Sequence, residues 1–453
     1  MNSSAATRRR SPSSSLVLWC CLLACAWESW PRSYSLEAEE AFAASTGRVS
    51  SRRIAQVQAH RSRRAHAASR AALPVAGHDL EAAASVAAAM PEDFFSSIST
   101  AFADQGFNIN GILFQASLPL YLLFLYFLNY RRNNTPPLAA FGFAFLLVFV
   151  GSTIPAGIIS KSAFGVNLAD SDWLHGAAES LLTCTNILIV LGFSAAMNGN
   201  GSLADSPGLR SFAGNWFIIV ALALATGQIF GLGVHSQFLS NAGGLPELAA
   251  VGTEPVNALS LPTWLVHWST VLEWLVAMSL VWRYAEATGN EKWKGLSWGM
   301  YLNHASSVFA ITYHIFYNNI GWILTGQALC TCLGNATLMV AAYRIAVSNG
   351  WTVDELNPFA EKEEADMVFE TSRLKLQDDL DRPFVTISKL IVPTIIGSYV
   401  TKYGELFVAA DVFRSQESNL AAVAVVLAFT SGVVYTLYNN SEDLKKGEIP
   451  RLV

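Results

Sequence analysis

The sequence predicts an all-α polytopic integral membrane protein, and two of its features carry that prediction. Hydrophobic residues make up 52% of the 453 residues and charged residues only 14%, with a mean hydropathy of +0.34. This composition is too apolar for an ordinary soluble protein. Apolar runs of about 20 residues recur along the chain, and a helix of that length crosses a hydrocarbon layer of about 30 Å. We therefore predict about nine transmembrane helices that follow a cleaved N-terminal leader.

The apolar runs and the stretches between them divide the chain into segments. We predict spans at residues 111–129, 138–160, 173–194, 212–234, 262–282, 297–316, 321–345, 388–410 and 419–438. Lys402 and Glu405 fall inside the eighth run, so a tilted or interfacial helix is an alternative there. The segments are a leader (1–75), a linker (76–110), a first membrane domain of three helices (111–195), a linking span and loop (196–258), a second membrane domain of three helices (259–347), a charged connector (348–387) and C-terminal helices with a tail (388–453).

The first 75 residues have the composition of a targeting leader. Arg8–Arg10 precede the apolar stretch SLVLWCCLLACAW, a pattern typical of a secretory signal peptide and too short to span a membrane. Residues 32–73 are rich in Arg, Ser and Ala, which is typical of a plastid transit peptide. We therefore predict a bipartite plastid leader, with a plain secretory leader and low-complexity linker as the alternative. Apolar residues at helical spacing in the linker predict a short amphipathic helix on the membrane, or else a remnant of the leader.

Composition also excludes some classes of partner and chemistry. A net charge of −5 and a pI near 5.9 offer no basic face to nucleic acid. Six cysteines are too few and too scattered for a disulfide framework. The sequence contains no phosphate-binding loop, nucleophile elbow or paired-cysteine motif. We therefore expect a protein that is not an enzyme and whose surroundings are the lipid bilayer and other membrane proteins.

Basic residues orient the nine predicted spans. When the spans are threaded in order, one side of the membrane receives Arg131, Arg132, Arg210, Arg283, Lys292, Lys294, Arg344, the basic residues of the connector, Lys445, Lys446 and Arg451. The opposite side keeps only Lys161 and Arg414. Basic loops stay on the side of synthesis, which in a plastid is the stroma. The connector and the C-terminus are therefore predicted to face the stroma.

Two stretches of the chain resemble known families. The phrases LPTWLVHWSTVLEW, WRYAEATGNEKWKGLSWGM, HASSVFAITYHIFYN and GNATLMVAAYRI resemble the hypothetical chloroplast reading frame forty-nine family of plastid and cyanobacterial membrane proteins, over about residues 259–347. The phrases TPPLAAFGFAF and LADSDWLHGAAESLLTCTNILIVLGF resemble a companion uncharacterised plastid domain, over about residues 111–195. The resemblance implies a multi-pass protein of a plastid membrane, which we expect to be the thylakoid, and implies no chemistry.

A set of histidines and glutamates is the candidate buried polar or cofactor cluster: His175, Glu179, His235, His267, Glu273 and His314. The threading places the four histidines at one membrane face and each glutamate below a histidine on the same span. Ionisable residues within spans are rare and commonly functional. We expect contacts between glutamates and histidines that join the helices. A bound chlorophyll, haem or metal ion is the first alternative, and proton or ion movement through the glutamates is the second.

A stromal loop matches the family closely and is the candidate docking surface: Arg283, Glu286, Lys292, Trp293 and Lys294. A capped helix end with basic anchors is the alternative interpretation. For the whole chain we predict a non-catalytic thylakoid protein that assembles, maintains or organises membrane complexes, with no cofactor expected. The alternatives are a histidine-ligated pigment or haem protein, and a carrier of ions or small solutes.

Overall fold

A computed structural model describes residues 109–227, 255, 257–356, 369–404, 412–413 and 418–446. The predicted leader, the amphipathic segment of the linker and His235 lie outside these residues. The described part is all-α, as predicted, and its long helices are α1 (Ile109–Leu128), α2 (Pro137–Ile159), α3 (Asp172–Met197), α4 (Pro207–Thr226), α5 (Leu261–Thr288), α6 (Lys292–Ile315), α7 (Gly321–Ser348), α8 (Pro383–Tyr403) and α9 (Asn419–Lys446).

These helices fall at the nine predicted spans. Within the described residues, eight are long and apolar enough to cross a membrane, and α6 is the remaining one. Because α6 packs against α5, α7 and α9, its less apolar sequence faces protein more than lipid. Helix α8 begins at Pro383, five residues before the predicted span. Lys402 does not interrupt it, because this lysine is 8% exposed and its Nζ donates to the Leu259 carbonyl at 2.8 Å.

Helices α3 and α5 form the centre of the bundle. Of the most apolar 18 residues of α3, 78% are buried, against 17% for α4 and for α8, which lie at the periphery. Helix α3 packs between α2 and α5, and α5 also packs on α6 and α8. Gly192 allows the closest approach of α3 to α2, since a Cβ at this position would lie 2.4 Å from the Ala139 nitrogen.

Helix α1 packs against a helix from the second half of the chain. It packs mainly on α7 and only slightly on α2, which follows it in sequence. Phe127 of α1 makes edge-on contacts with Tyr343 and Trp351, with ring centroids 5.1 and 5.2 Å apart. The first three helices therefore do not form a bundle of their own, and the two predicted membrane domains share one core.

The charged connector holds one end of the bundle together, which we call the connector end. The Gln377 amide donates to the Met197 carbonyl at the end of α3, and the Lys375 amide donates to the Ala287 carbonyl near the end of α5. Arg283 forms an ion pair with Asp379 at 2.5 Å. The two central helices are thus both held by the connector segment. The opposite end contains the first turn of α3 and of α5 and the last turn of α6, and we call it the histidine end.

Candidate functional site

Three histidines from three helices meet at the histidine end. His175 lies in the first turn of α3, His267 in the second turn of α5 and His314 at the end of α6. The Nε2 atoms of His175 and His267 are 3.0 Å apart, and the three ring centroids are 4.8 to 4.9 Å from one another. The side chains are 9%, 4% and 5% exposed, respectively. We call these residues the three-histidine cluster.

The starts of α3 and α5 are fixed to each other beside this cluster. Asp172 Oδ1 accepts the Ser260 amide at 2.8 Å, which caps the start of α5. Thr263 donates to the Asp172 carbonyl at 3.4 Å. Gly176 makes the approach possible, because a Cβ at this position would lie 2.6 Å from Thr263 Oγ1. These contacts set His175 opposite His267.

The end of α6 is held to the loop before α3. Tyr317 and Asn318 adopt positive φ of 49° and 60°, and this left-handed turn ends the helix. Asn318 Nδ2 donates to Asp170 Oδ1 at 2.7 Å and to the Ala169 carbonyl at 3.1 Å. Asn257 also donates to Asp170, at 3.3 Å, and to the Tyr317 carbonyl, at 2.6 Å. This network keeps His314 against His175, and it explains why two residues without a glycine's freedom hold a positive φ.

Buried polar atoms surround the cluster. The backbone of Leu168 adjoins His175, and the Nε2 of His175 faces His267. His314 Nδ1, Asp172 Oδ2 and Asn318 Oδ1 are buried and have no hydrogen-bond partner. Trp264 stands edge-on to both His267 and His314, with centroids 6.2 and 6.4 Å away. The cluster therefore has donor nitrogens, nearby carboxylate charge and an aromatic wall.

The arrangement fits a single metal ion. Its ligating nitrogens, one from each histidine, lie within 4.8 Å of one another. Metal–nitrogen bonds of about 2.0–2.1 Å at tetrahedral angles place such nitrogens about 3.3 Å apart. Side-chain movements of about 1 Å would bring the three rings to that geometry. Imidazole suits zinc, copper, iron and nickel.

A tetrapyrrole fits less well. Two axial imidazoles stand about 4 Å apart across a haem, at about 2 Å per bond, and the flat macrocycle must lie between them. Here each ring is in contact with both of the others. A macrocycle between any two rings would displace the third ring and Trp264. The geometry therefore favours an ion over a haem with two axial histidines.

Neither glutamate belongs to the three-histidine cluster. Glu273 is 4% exposed and its Oε1 accepts a hydrogen bond from Ser269, while its Oε2 has no partner. Glu179 is partly buried on the face of α3 that carries His175. The expectation that Glu273 contacts a histidine is wrong. Six residues along a helix advance about 9 Å, which separates Glu273 from His267 by more than a hydrogen bond.

The predicted docking loop is largely occupied by intramolecular contacts. Trp293 is fully buried, with its ring 5.9 Å from Phe193 and 4.9 Å from Tyr284. Arg283 is paired with the connector. Lys294 pairs with Glu291 at 2.6 Å and stacks over Trp282. Glu286 is partly buried and Lys292 exposed.

The residues that position the cluster were not predicted from the sequence. Asp170, Asp172, Asn257 and Asn318 are ordinary loop and helix-start residues by composition, and only their contacts reveal their role. Asp172 lies three residues before His175, on the same side of α3, and this spacing was a signal that could have found it. The fully buried His304 on α6 lies outside the cluster, and neither of its ring nitrogens has a partner.

The fold and the cluster define a class: a polytopic α-helical membrane protein with three buried histidines contributed by both halves of its core. Residues 110–198 match the family described as "Protein of unknown function (DUF3593)", and residues 258–344 match "Protein of unknown function (DUF2499)". The boundaries agree with the two stretches of resemblance. His175 therefore comes from the first family segment, and His267 and His314 come from the second.

Two relatives give the family a further description. The chain is 49% identical over 92 residues to a Ycf49-like protein of Synechocystis sp. (strain ATCC 27184 / PCC 6803 / Kazusa). The aligned residues cover 20% of this chain and 88% of the relative. It is 32% identical over 85 residues to an uncharacterized protein ycf49 of Cyanophora paradoxa. The aligned residues cover 18% of this chain and 83% of that protein. The chain belongs to the Ycf49 family. No solved structure matches it.

Proposed function

We propose that this protein binds one first-row transition-metal ion at the three-histidine cluster, inside the membrane. One observation carries the proposal: His175, His267 and His314 come from three helices and place a ligand nitrogen each within 4.8 Å of the others. Neutral imidazoles provide no negative charge. The buried carboxylate of Asp172, one turn before His175, offsets part of the charge of a divalent ion.

The orientation of the rings supports the same proposal. A histidine that ligates a metal usually donates its other ring nitrogen to a carbonyl or a carboxylate. His175 has the Leu168 backbone in that role. For His314 the buried Asn318 Oδ1 is the neighbouring acceptor without a partner. Three protein ligands leave a fourth coordination position for water or a substrate atom.

In the cell, we propose that the protein resides in the thylakoid membrane with its connector end in the stroma and acts without catalysis. Its role would be to assemble, maintain or organise other membrane complexes. Two features support this second, broader proposal. The ion site joins both family segments, so ion binding stabilises the whole bundle. The peripheral helices present apolar side chains that suit lipid or the helices of a partner, such as Phe212, Ile218, Ile396 and Leu427.

The experiment is a metal analysis of full-length protein purified in mild detergent. We expect about one transition-metal ion per chain, retained through a wash with a weak chelator. The variant His267→Ala removes one of the three ligands and should lose the ion. An absorption spectrum of the same sample tests the tetrapyrrole alternative. Wild-type protein that takes up neither zinc, copper, iron nor nickel contradicts the proposal, and a Soret or chlorophyll band in stoichiometric amount would replace the ion by a pigment.

A further inference from the structure

We propose that Glu273 carries a proton and releases it when the three-histidine cluster binds its ion. This inference rests on the proposed metal binding and concerns a second site, deeper in the membrane. The exchange is balanced: the ion enters as a dication, the O–H bond of the Glu273 carboxyl breaks, its electron pair remains on the carboxylate and one proton leaves. After the proton has left, the ion and the Glu273 carboxylate together carry a smaller buried net charge than the ion would beside a protonated Glu273.

The surroundings of Glu273 call for a proton. Its side chain is 4% exposed within the span of α5. One donor, the Ser269 hydroxyl, reaches Oε1, and Oε2 has no partner. The Asn186 side chain of α3 adjoins this carboxyl, and its Oδ1 is also buried without a partner. A proton on Oε2 removes the need for an ionised oxygen at this buried position, where it has no hydrogen-bond partner. A neutral carboxyl is also the form that a buried position favours.

A row of polar side chains connects Glu273 with the cluster. On α5, His267, Thr270 and Glu273 follow at intervals of three residues and share one face. Thr270 Oγ1 lies 3.3 Å from Thr183 Oγ1 of α3. Asn186 Nδ2 donates to the Thr270 carbonyl at 3.1 Å. We call Thr183, Asn186 and Thr270 the polar row. It provides hydroxyl and amide groups along the distance of about 9 Å that separates the two sites.

The polar row does not continue toward the connector end. Beyond Glu273, toward the connector end, the α3–α5 interface is closed by apolar side chains of the main core, among them Ala277, Val281 and Phe193, each fully buried. A proton therefore leaves Glu273 past the cluster, where Asp170 and Asp172 lie.

Other titratable groups near Glu273 provide the controls. Cys184 faces it from α3. On the other side, α6 carries His304 one turn beyond Met300, whose carbonyl accepts from Trp274 Nε1 at 3.0 Å. Glu179 lies nearer to the cluster on α3. Each could supply the released proton instead, and each is tested by its own variant.

The test measures proton release on addition of Zn²⁺ alone to full-length protein in weakly buffered detergent, with a pH indicator. For each Zn²⁺ bound, wild-type protein should release about one more proton than the Glu273→Gln variant does. This variant keeps the shape of the side chain. The variants Cys184→Ala, His304→Gln and Glu179→Gln should release as many protons as wild type. Equal release by Glu273→Gln and wild type overturns the inference and leaves metal binding intact. If wild-type protein binds no Zn²⁺, the proposed function fails, and this inference with it.

A second measurement does not depend on how any variant folds. Infrared difference spectra of wild-type protein with and without Zn²⁺ should show loss of the carbonyl stretching band of a protonated carboxyl and gain of carboxylate bands. A band that persists at saturating Zn²⁺ overturns the inference. In Glu273→Gln the difference band should be missing, and its presence there would assign the proton to another group.

Discussion

His175 and His267 are 92 residues apart in the chain, belong to two different family segments, and face each other with their Nε2 atoms 3.0 Å apart. Neither segment contains the complete cluster. Segment 110–198 contributes one imidazole and segment 258–344 contributes two. The packing of α3 on α5 is therefore a condition for the site.

Variants that lack one ligand should show that the ion binds at the three-histidine cluster and not at His304, which is also buried. His175→Ala and His314→Ala should each weaken Zn²⁺ binding by at least about 100-fold, since loss of a ligand exceeds the about 10–100-fold effect of an outer partner. His304→Gln removes a buried imidazole outside the cluster and should retain the ion. Competition with a chromophoric chelator measures all three. Equal affinities across this series would show that the ion binds elsewhere.

The Asp170–Asn318 hydrogen bond should matter for affinity although neither side chain belongs to the cluster. Asn318→Ala frees the turn at the end of α6, so His314 loses its fixed position. We expect a loss of about 10–100-fold in Zn²⁺ affinity, the effect typical of residues that orient a ligand. Asn167→Ala changes an exposed residue of the loop that carries Asp170 and serves as the control. Unchanged affinity in Asn318→Ala would mean that His314 is positioned by helix packing alone.

Gly176 should tolerate no side chain. In Gly176→Ala the new Cβ would lie 2.6 Å from Thr263 Oγ1 and would push α3 away from α5. We expect a loss of about 1–3 kcal/mol in stability, the usual cost of overpacking, and weaker ion binding. Gly214→Ala on α4 is the matched control, because nothing lies within 4 Å of its Cβ. Thermal unfolding in detergent, followed by circular dichroism, compares the two. A Gly176 variant as stable as the Gly214 variant would contradict the close approach.

Lys402 should contribute to stability at the histidine end. It is 8% exposed, and its Nζ donates to the Leu259 carbonyl just before α5. Lys402→Met keeps most of the length and removes the donor, so that this buried carbonyl loses its lysine donor. A loss of about 1–3 kcal/mol is expected. Lys389→Met, on an exposed turn of the same helix, should have little effect because its ion pair with Asp381 is exposed. Thermal unfolding measures both variants, and equal unfolding temperatures would speak against the buried contact.

The orientation of the bundle can be checked at the connector. Basic residues gather at the connector end, so we expect this end to face the stroma. Protease added to right-side-out thylakoids should cut between residues 350 and 382 and leave the helices intact. Immunoblots against the C-terminus would detect the fragment. Full protection, with a protease shown to be active on a known stromal loop, would reverse the orientation.

Much of the fold followed from local sequence. Each long helix of the described part corresponds to an apolar run, because the length and apolarity that fit a bilayer are properties of consecutive residues. The four histidines were assigned to one membrane face by counting spans. The position of a residue within its span determines its depth in the membrane, but it does not determine which neighbouring helix its side chain faces. For this reason the sequence placed His175, His267 and His314 at one end, yet left open whether they meet.

What the sequence determined by itself is therefore the membrane class, the order and approximate bounds of the helices, and the depth of the ionisable residues. The tertiary structure decided which helices pack together. It set α1 against α7, turned Trp293 into the core and separated Glu273 from His267. These outcomes depend on contacts between residues distant in sequence, such as Gly176 with Thr263 and Asn318 with Asp170. Side-chain shape and hydrogen-bond geometry select those contacts, and neither is visible in the periodicity of a single run.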